Sequence, residues 1–170
     1  DLAQKKRLSQ SIKIDSEWTH ALETVIGTHL HDFCVDDIDV YLNKLELAPG
    51  KIGLINTSWN DVSIDATQKP RLIDKIKTDI RIPSVLENVF LAETTEEARK
   101  LLSSLSIGQT VVTQNGVWMS HDWVVVNNSS DPSIGVLNRE TEITAIKQDL
   151  KNREEKAKRI EVELYTNQTV

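Results

Sequence analysis

Residues 143–164 run ITAIKQDLKNREEKAKRIEVEL. Within them Ile143, Ile146, Leu150, Ala157, Ile160 and Leu164, with Arg153 as the single polar member, follow one another at alternating steps of three and four. That spacing keeps one narrow stripe on a single side of a helix and is the seam of a coiled coil. The flanks (Lys147, Asp149, Lys151, Glu154, Glu155, Lys156, Lys158, Glu161, Glu163) carry mixed charge, so the stripe is too narrow for a helix buried in a core. Such a helix is marginal alone in water and needs a partner. Upstream, only a short helical stub at Leu2 and Leu8 is available. The chain starts at Asp1 without an initiator methionine. The expectation is therefore a piece of a longer protein, with the partner helix lying before Asp1.

Ahead of this rod lies a foldable body. The chain has 170 residues, 39% hydrophobic and 27% charged, enough for one domain or two small lobes with a real core. No apolar run approaches the ~20 residues of a membrane span, and the first residues do not form a secretory signal. Cys34 is the only cysteine, so no intrachain disulfide forms and a cytoplasmic setting is expected. The net charge of -6 is unevenly spread. Lys5, Lys6, Arg7 and Lys13 outweigh Asp1, and Lys69, Arg71, Lys75, Lys77 and Arg81 outweigh Asp74 and Asp79. Residues 14–68 hold two lysines against ten acids. A polyanion would be repelled by the body and attracted at the two basic segments alone. The ordinary reading of such runs is a solvated face.

Hydrophobic periodicity gives the elements. Ser11–Ile14 alternates like a strand. Asp15 or Ser16 caps a helix from Glu17 to about His29, whose Trp18, Ala21, Leu22, Val25 and Ile26 form one buried face. Residues 32–36 and 52–55 read as strands, with a helix over Asp37–Leu45 between them. Residues 57–70 look like a connector. Beyond it the pattern predicts a helix over Leu72–Ile80, a possible second one after Pro83-Ser84, and a strand over Val89–Ala92. A helix over Glu96–Ser104 follows, capped by Thr94 or Thr95, and then a strand over Thr110–Thr113. Asn115-Gly116 is a hairpin turn, so Val117–Ser120 pairs back and Trp123–Val126 continues as strand. Boundaries follow: 1–10 as the end of an N-terminal arm, 11–56 as a first lobe, 57–70 as connector, 71–137 as a second lobe, and 138–166 as the start of a C-terminal arm.

Chemistry is hard to find. His29-x-His31-x-x-Cys34 with Asp36 and Asp37 does not match the paired ligands of a structural zinc site, so no metal is expected. His121-Asp122 lacks a nucleophile, and no phosphate-binding glycine loop occurs, so neither an enzyme nor a cofactor site is expected. Trp59, Trp118 and Trp123 fit core or interface better than a stacking platform for bases.

An α/β body between a short basic stub and a heptad helix has the organisation of an insertion at the tip of a coiled-coil hairpin. Several motifs in order resemble the hinge domain of bacterial structural maintenance of chromosomes (SMC) proteins. They are Leu8-x-x-x-Ile12-x-Ile14-Asp15; Trp18-x-x-Ala21-Leu22-Glu23-x-x-Ile26-Gly27-x-x-Leu30; Cys34-Val35-Asp36-Asp37; Val89-Phe90-Leu91-Ala92 with Ala98; Val111-Val112-Thr113-Gln114-Asn115-Gly116; and Gly135-Val136-Leu137-x-Arg139-x-x-Glu142-Ile143. The resemblance implies a two-lobe hinge-like fold with mixed sheets, followed by a coiled-coil helix. It implies homodimerisation, strands of one lobe pairing with the partner's other lobe, in a chromosome condensation and segregation protein whose ATPase heads lie elsewhere in the parent chain. The interface positions it implies are Ile52, Leu54, Gly116, Val117, Trp118, Trp123, Val124 and Gly135, the glycines allowing close backbone approach across the seam. The Gly-Gly run that many members carry after the turn is replaced here by Val117-Trp118-Met119-Ser120. It implies weak DNA binding near the arm junction through Lys5, Lys6, Arg7, Arg139, Lys147, Lys151 and Arg153, and a nucleoid-associated location. The alternative is a binding module of another coiled-coil protein that docks a partner through its C-terminal helix.

Overall fold

A computed structural model of the protein describes residues 2–45, 49–58, 69–128 and 135–168, without the side chains of Asn43, Lys44 and 165–168. Trp59 and most of the expected connector lie outside the described residues. Contacts divide the chain into a body, Asp1–Leu137, and a helical unit, Asn138–Val170.

The body opens with a 3-10 turn, Leu2–Gln4, and a four-residue helix α1, Leu8–Ser11, where the sequence suggested one stub. Strand β1 (Ile12–Ile14) leads through a 3-10 turn to α2 (Thr19–Ile26), and β2 (Phe33–Val35) follows. Asp15 precedes that turn with an extended backbone but makes no cap with its side chain. Helix α3 (Asp39–Leu45) and β3 (Leu54–Asn56) come next. β2 and β3 pair in parallel, Phe33 opposite Leu54.

The expected helix over Leu72–Ile80 is not formed. Leu72–Lys75 is a 3-10 turn and Ile76–Thr78 is strand β4, antiparallel to β1 with Ile14 opposite Ile76. The physical reason lies in the residues: Ile73, Ile76, Thr78 and Ile80 are β-branched, and Ile76-Lys77-Thr78 alternates at the strand period. The helix after Pro83 is likewise a single 3-10 turn, Ser84–Leu86. β1 thus pairs with a strand from the second half of the body rather than with β2 or β3.

The main sheet is β5 (Val89–Ala92), β6 (Thr110–Thr113), β7 (Val117–Met119) and β8 (Val124–Val126), in that order. β5 and β6 are parallel, joined by α4 (Thr95–Leu102), and the rest is antiparallel. Every residue of β5 and β6 is buried, because both faces are covered. Val89, Leu91 and Val112 face the larger core with Leu22, Ile26, Leu30 and Leu72. Phe90, Ala92 and Val111 face the other way, with Ala98 of α4 and Met119. Each of the larger of these side chains contributes about 1.5–3 kcal/mol by leaving water, and the alanines less. Thr94 caps α4, its Oγ1 accepting from the Glu97 N–H at 3.1 Å.

Helix α5 spans Val136–Gln168, 33 residues without a glycine or proline. Its seam residues Ile143, Ile146, Leu150, Ile160 and Leu164 are exposed along it.

Candidate functional site

The outer strand of the main sheet is an unusual surface. Val124, Val125 and Val126 are 59%, 44% and 55% exposed, so neither face of β8 is covered. Its inner edge pairs with β7, Trp118 opposite Val125. Among the described residues no strand pairs with its outer edge. Exposed β-branched residues on an open edge are an invitation to another strand, and soluble proteins ordinarily break such edges with charge or proline. Trp123, 39% exposed, enters the strand and meets Trp118 edge-on, ring centroids 4.8 Å apart. Trp118 is held in place by its indole N–H, which donates to Thr110 Oγ1 at 3.0 Å. One tryptophan is therefore fixed inward and supports the other at the surface.

A second open face lies in the same body. Ile52 is exposed and Leu54 half-buried at the rim of β3. A cavity of about 430 Å³ opens there, its apolar wall formed by Ile38, Leu54, Ile82, Pro83 and Val85 and its polar wall by His29, Asn56, Arg81 and Ser84.

The two glycines singled out from sequence each have a structural role within the chain. Gly116 is buried with φ +75°, and a Cβ there would overlap the His20 ring of α2. Its N–H donates to Thr113 O and its carbonyl accepts from the Asn127 N–H, both at 3.0 Å. The close approach it permits is to its own chain's α2. Gly135, φ +81°, stands just before α5. Its N–H donates to Glu23 Oε2 at 2.7 Å, and the Leu137 N–H donates to Glu23 Oε1 at 3.0 Å. Val117 is half-buried in β7.

Glu23, quoted above only within a motif, was given no role from sequence. It is 2% exposed on α2, whose side opposite the apolar face is also covered. On that side His20 Nε2 donates to Asn127 O at 2.9 Å, directly after β8. A periodicity search sees only the apolar stripe of α2 and takes the remaining positions for solvent. Val125 and Val126 had a signal, the valine run after Trp123.

The basic residues differ in what they contact. Arg7 is engaged internally: its Nη1 donates to His31 O at 2.6 Å and its guanidinium lies 4.6 Å from the Phe33 ring centroid. Lys5 Nζ is 3.7 Å from Asp36 Oδ2 and Lys6 is exposed. On α5, Arg139, Lys147 and Lys151 are exposed, and Arg153 Nε is 2.8 Å from Asp149 Oδ2. Burial pushes the Cys34 thiol above its ordinary value, helped by Asp32 and Asp79 and opposed by the Ser11 hydroxyl. His29 Nδ1 lies 2.7 Å from Asp32 Oδ2. Among the described residues no cluster of metal-ligating side chains forms, and no helix is long and apolar enough to cross a membrane.

A mixed α/β body with an open-edged sheet, continuing into a long heptad helix, has the architecture of a coiled-coil hinge module. The model of the SMC proteins' flexible hinge domain matches residues 3–102, and the chain belongs to that family. It is 28% identical over 158 residues to the chromosome partition protein Smc of Coxiella burnetii, covering 91% of this chain and 13% of that protein. With its Xanthomonas oryzae pv. oryzae counterpart the identity is 30% over 142 residues, covering 83% of this chain and 12% of the relative. The chain thus spans a small fraction of the length of these relatives. In fold it is similar to the Geobacillus stearothermophilus SMC hinge domain, solved as an asymmetric dimer, with TM-score 0.61 and 18% identity over 91% of this chain and 69% of that one. It is also similar to the Pyrococcus furiosus Smc hinge with an extended coiled coil, with TM-score 0.53 and 16% identity over 94% and 61% of the two chains.

Proposed function

We propose that this chain is the homodimerisation hinge of an SMC-type chromosome segregation protein and that its work is mechanical, not catalytic. The observation that carries the reading is the open β8 edge, three exposed valines beside Trp123. The apolar rim of β3, with Ile52, Leu54 and the adjoining cavity, is the complementary surface on the second copy. Strand addition supplies backbone hydrogen bonds, and the alternating side chains supply burial. In this reading the arms begin at residues 1–10 and 138–166, the lobes are 11–56 and 71–137 about the 57–70 connector, and the ATPase heads lie in the rest of the parent protein, in the cytoplasm on the nucleoid.

Sedimentation velocity at micromolar protein tests this. Wild type is expected to be dimeric and Val125→Glu monomeric, because a charge on the shared edge loses its water without gaining a partner. The same dimer is expected after residues 140–170 are removed. If that truncation abolishes self-association, the second reading, docking through the exposed seam of α5, replaces this one.

Weak, sequence-independent DNA binding is a separate proposal. Lys5, Lys6, Arg7, Arg139, Lys147, Lys151 and Arg153 carry it, although Lys5, Arg7 and Arg153 are also engaged with protein groups. Charge reversal at the lysines is expected to abolish a gel shift that also disappears with added salt. Absence of a wild-type shift would end this part of the proposal.

A further inference from the structure

Opening N–H groups of the long helix are held by a residue distant in the chain. No acidic residue stands in the first turn of α5. Glu23, from a helix more than a hundred residues earlier, supplies both acceptors, 2.7 Å from Gly135 N and 3.0 Å from Leu137 N. At 2% exposure its carboxylate has given up nearly all its water. The compensation comes from those donors and from the positive end of the helix macrodipole.

Three residues before Glu23, on the neighbouring position of the same helix, His20 donates to the Asn127 carbonyl at 2.9 Å. Asn127 follows β8 directly, and its own N–H donates to Gly116 O at 3.0 Å, where Gly116 lies against the His20 ring. One short helix therefore grips the end of the exposed strand and the root of the arm helix at once. We propose that α2 is a coupling element, tying β8 to the first turn of α5 through His20 and Glu23. Ordering of β8 strengthens the grip on residues 135–137, and loss of that grip loosens β8. Coupling of this kind is reciprocal by linkage. Glu23 and His20 act as positioning residues; neither needs to touch a partner. The functional meaning of this coupling rests on β8 as the dimer edge.

Hydrogen exchange followed by mass spectrometry on the full chain tests the coupling, with dimer dissociation constants measured by sedimentation alongside. Glu23→Gln keeps the volume of the side chain and removes its charge. Exchange of residues 135–137 is expected to quicken by about tenfold or more, as a lost charge-assisted bond implies. Residues 124–127 are expected to quicken as well, β2 and β3 to stay at wild-type rates, and the dimer to weaken by roughly fivefold or more. His20→Ala should reproduce the pattern from the other end, loosening 135–137. A change confined to 135–137, with 124–127 and the dimer constant unaltered, overturns the proposal. So does an equal rise in every segment, which would be plain loss of stability. If circular dichroism shows that Glu23→Gln does not fold, Glu23→Asp is read by the same criteria. A wild type that stays monomeric refutes the dimer reading and leaves the exchange at 124–127 to decide the coupling.

Discussion

The carboxylate of Asp32 occupies the space that a side chain at position 53 would need, directly over the Cα of Gly53. Asp32 is held there by His29, and the Phe33 N–H donates to Gly53 O at 3.0 Å, at the start of the β2–β3 pairing. Gly53→Ala therefore either displaces a buried carboxylate from its partner or parts the two strands. A loss of about 1–3 kcal/mol in urea unfolding is expected. The double variant Asp32→Ala/Gly53→Ala should lose clearly less than the sum of the single losses. Strict additivity would show that the two residues do not compete for that space.

Gly116 and Gly108 separate two reasons for glycine. Both have positive φ, +75° and +88°, but a Cβ at 108 meets open space whereas one at 116 meets His20 and Thr24. Gly108→Ala should cost about 1 kcal/mol of backbone strain alone. Gly116→Ala carries that strain and must also push α2 away from the hairpin, so its thermal midpoint should fall well below that of Gly108→Ala. Equal midpoints would mean that α2 yields freely.

Much of the fold was legible because its signals are local. Thr94 before a helical run, Asn115-Gly116 between strands and the seam from Ile143 to Leu164 each declare themselves within a few residues. The strand at Ile76–Thr78 was read as helix because its pairing with β1 joins residues more than sixty apart, and only that partner stabilises it. The site was legible in part, and for a related reason. Trp123 and Val124 belong to a conspicuous apolar run, and the structure leaves both exposed. Gly116 was noticed as a place of close approach, but its neighbour within the chain, the His20 ring, could not be read, since a sequence marks a need for close approach and not what approaches. Glu23 stood in a motif that carries the resemblance, but its role could not be read: a glutamate on the polar side of an amphipathic helix looks solvated until the root of α5 is seen resting on it.

Cys34 provides a pH test. Burial raises its thiol, with Asp32 and Asp79 adding to the shift. The unfolded thiol ionises near its ordinary value of about 8.5 while the folded one stays protonated. Above that pH the folded state binds more protons than the unfolded, so the stability this group contributes, fully present at neutral pH, falls as pH rises. Wild type should lose more stability between pH 8 and pH 10 than Cys34→Ser, compared by urea unfolding. Alkylation of native Cys34 at pH 8 should also be slower than that of the same thiol in denaturant. Matching slopes and matching alkylation rates would remove the argument.

The middle of the α5 seam is its weakest part, because Arg153 and Ala157 stand in succession where large apolar residues are wanted. Arg153 turns to its own helix, Nε lying 2.8 Å from Asp149 Oδ2, one turn earlier. That pair is exposed and contributes at most a few tenths of a kcal/mol, whereas an apolar residue buried at a seam contributes more than 1 kcal/mol. A peptide of residues 138–168 should therefore be partly helical with little dependence on concentration. Arg153→Leu completes the stripe on either side of it, from Leu150 to Ala157. Its mean residue ellipticity should deepen as concentration rises from ten micromolar to one millimolar, with a higher thermal midpoint at the upper end. If the variant's helicity is as independent of concentration as the parent's, the stripe is not an association seam, and the heptad spacing of Ile143, Ile146, Leu150, Ala157, Ile160 and Leu164 needs another reason.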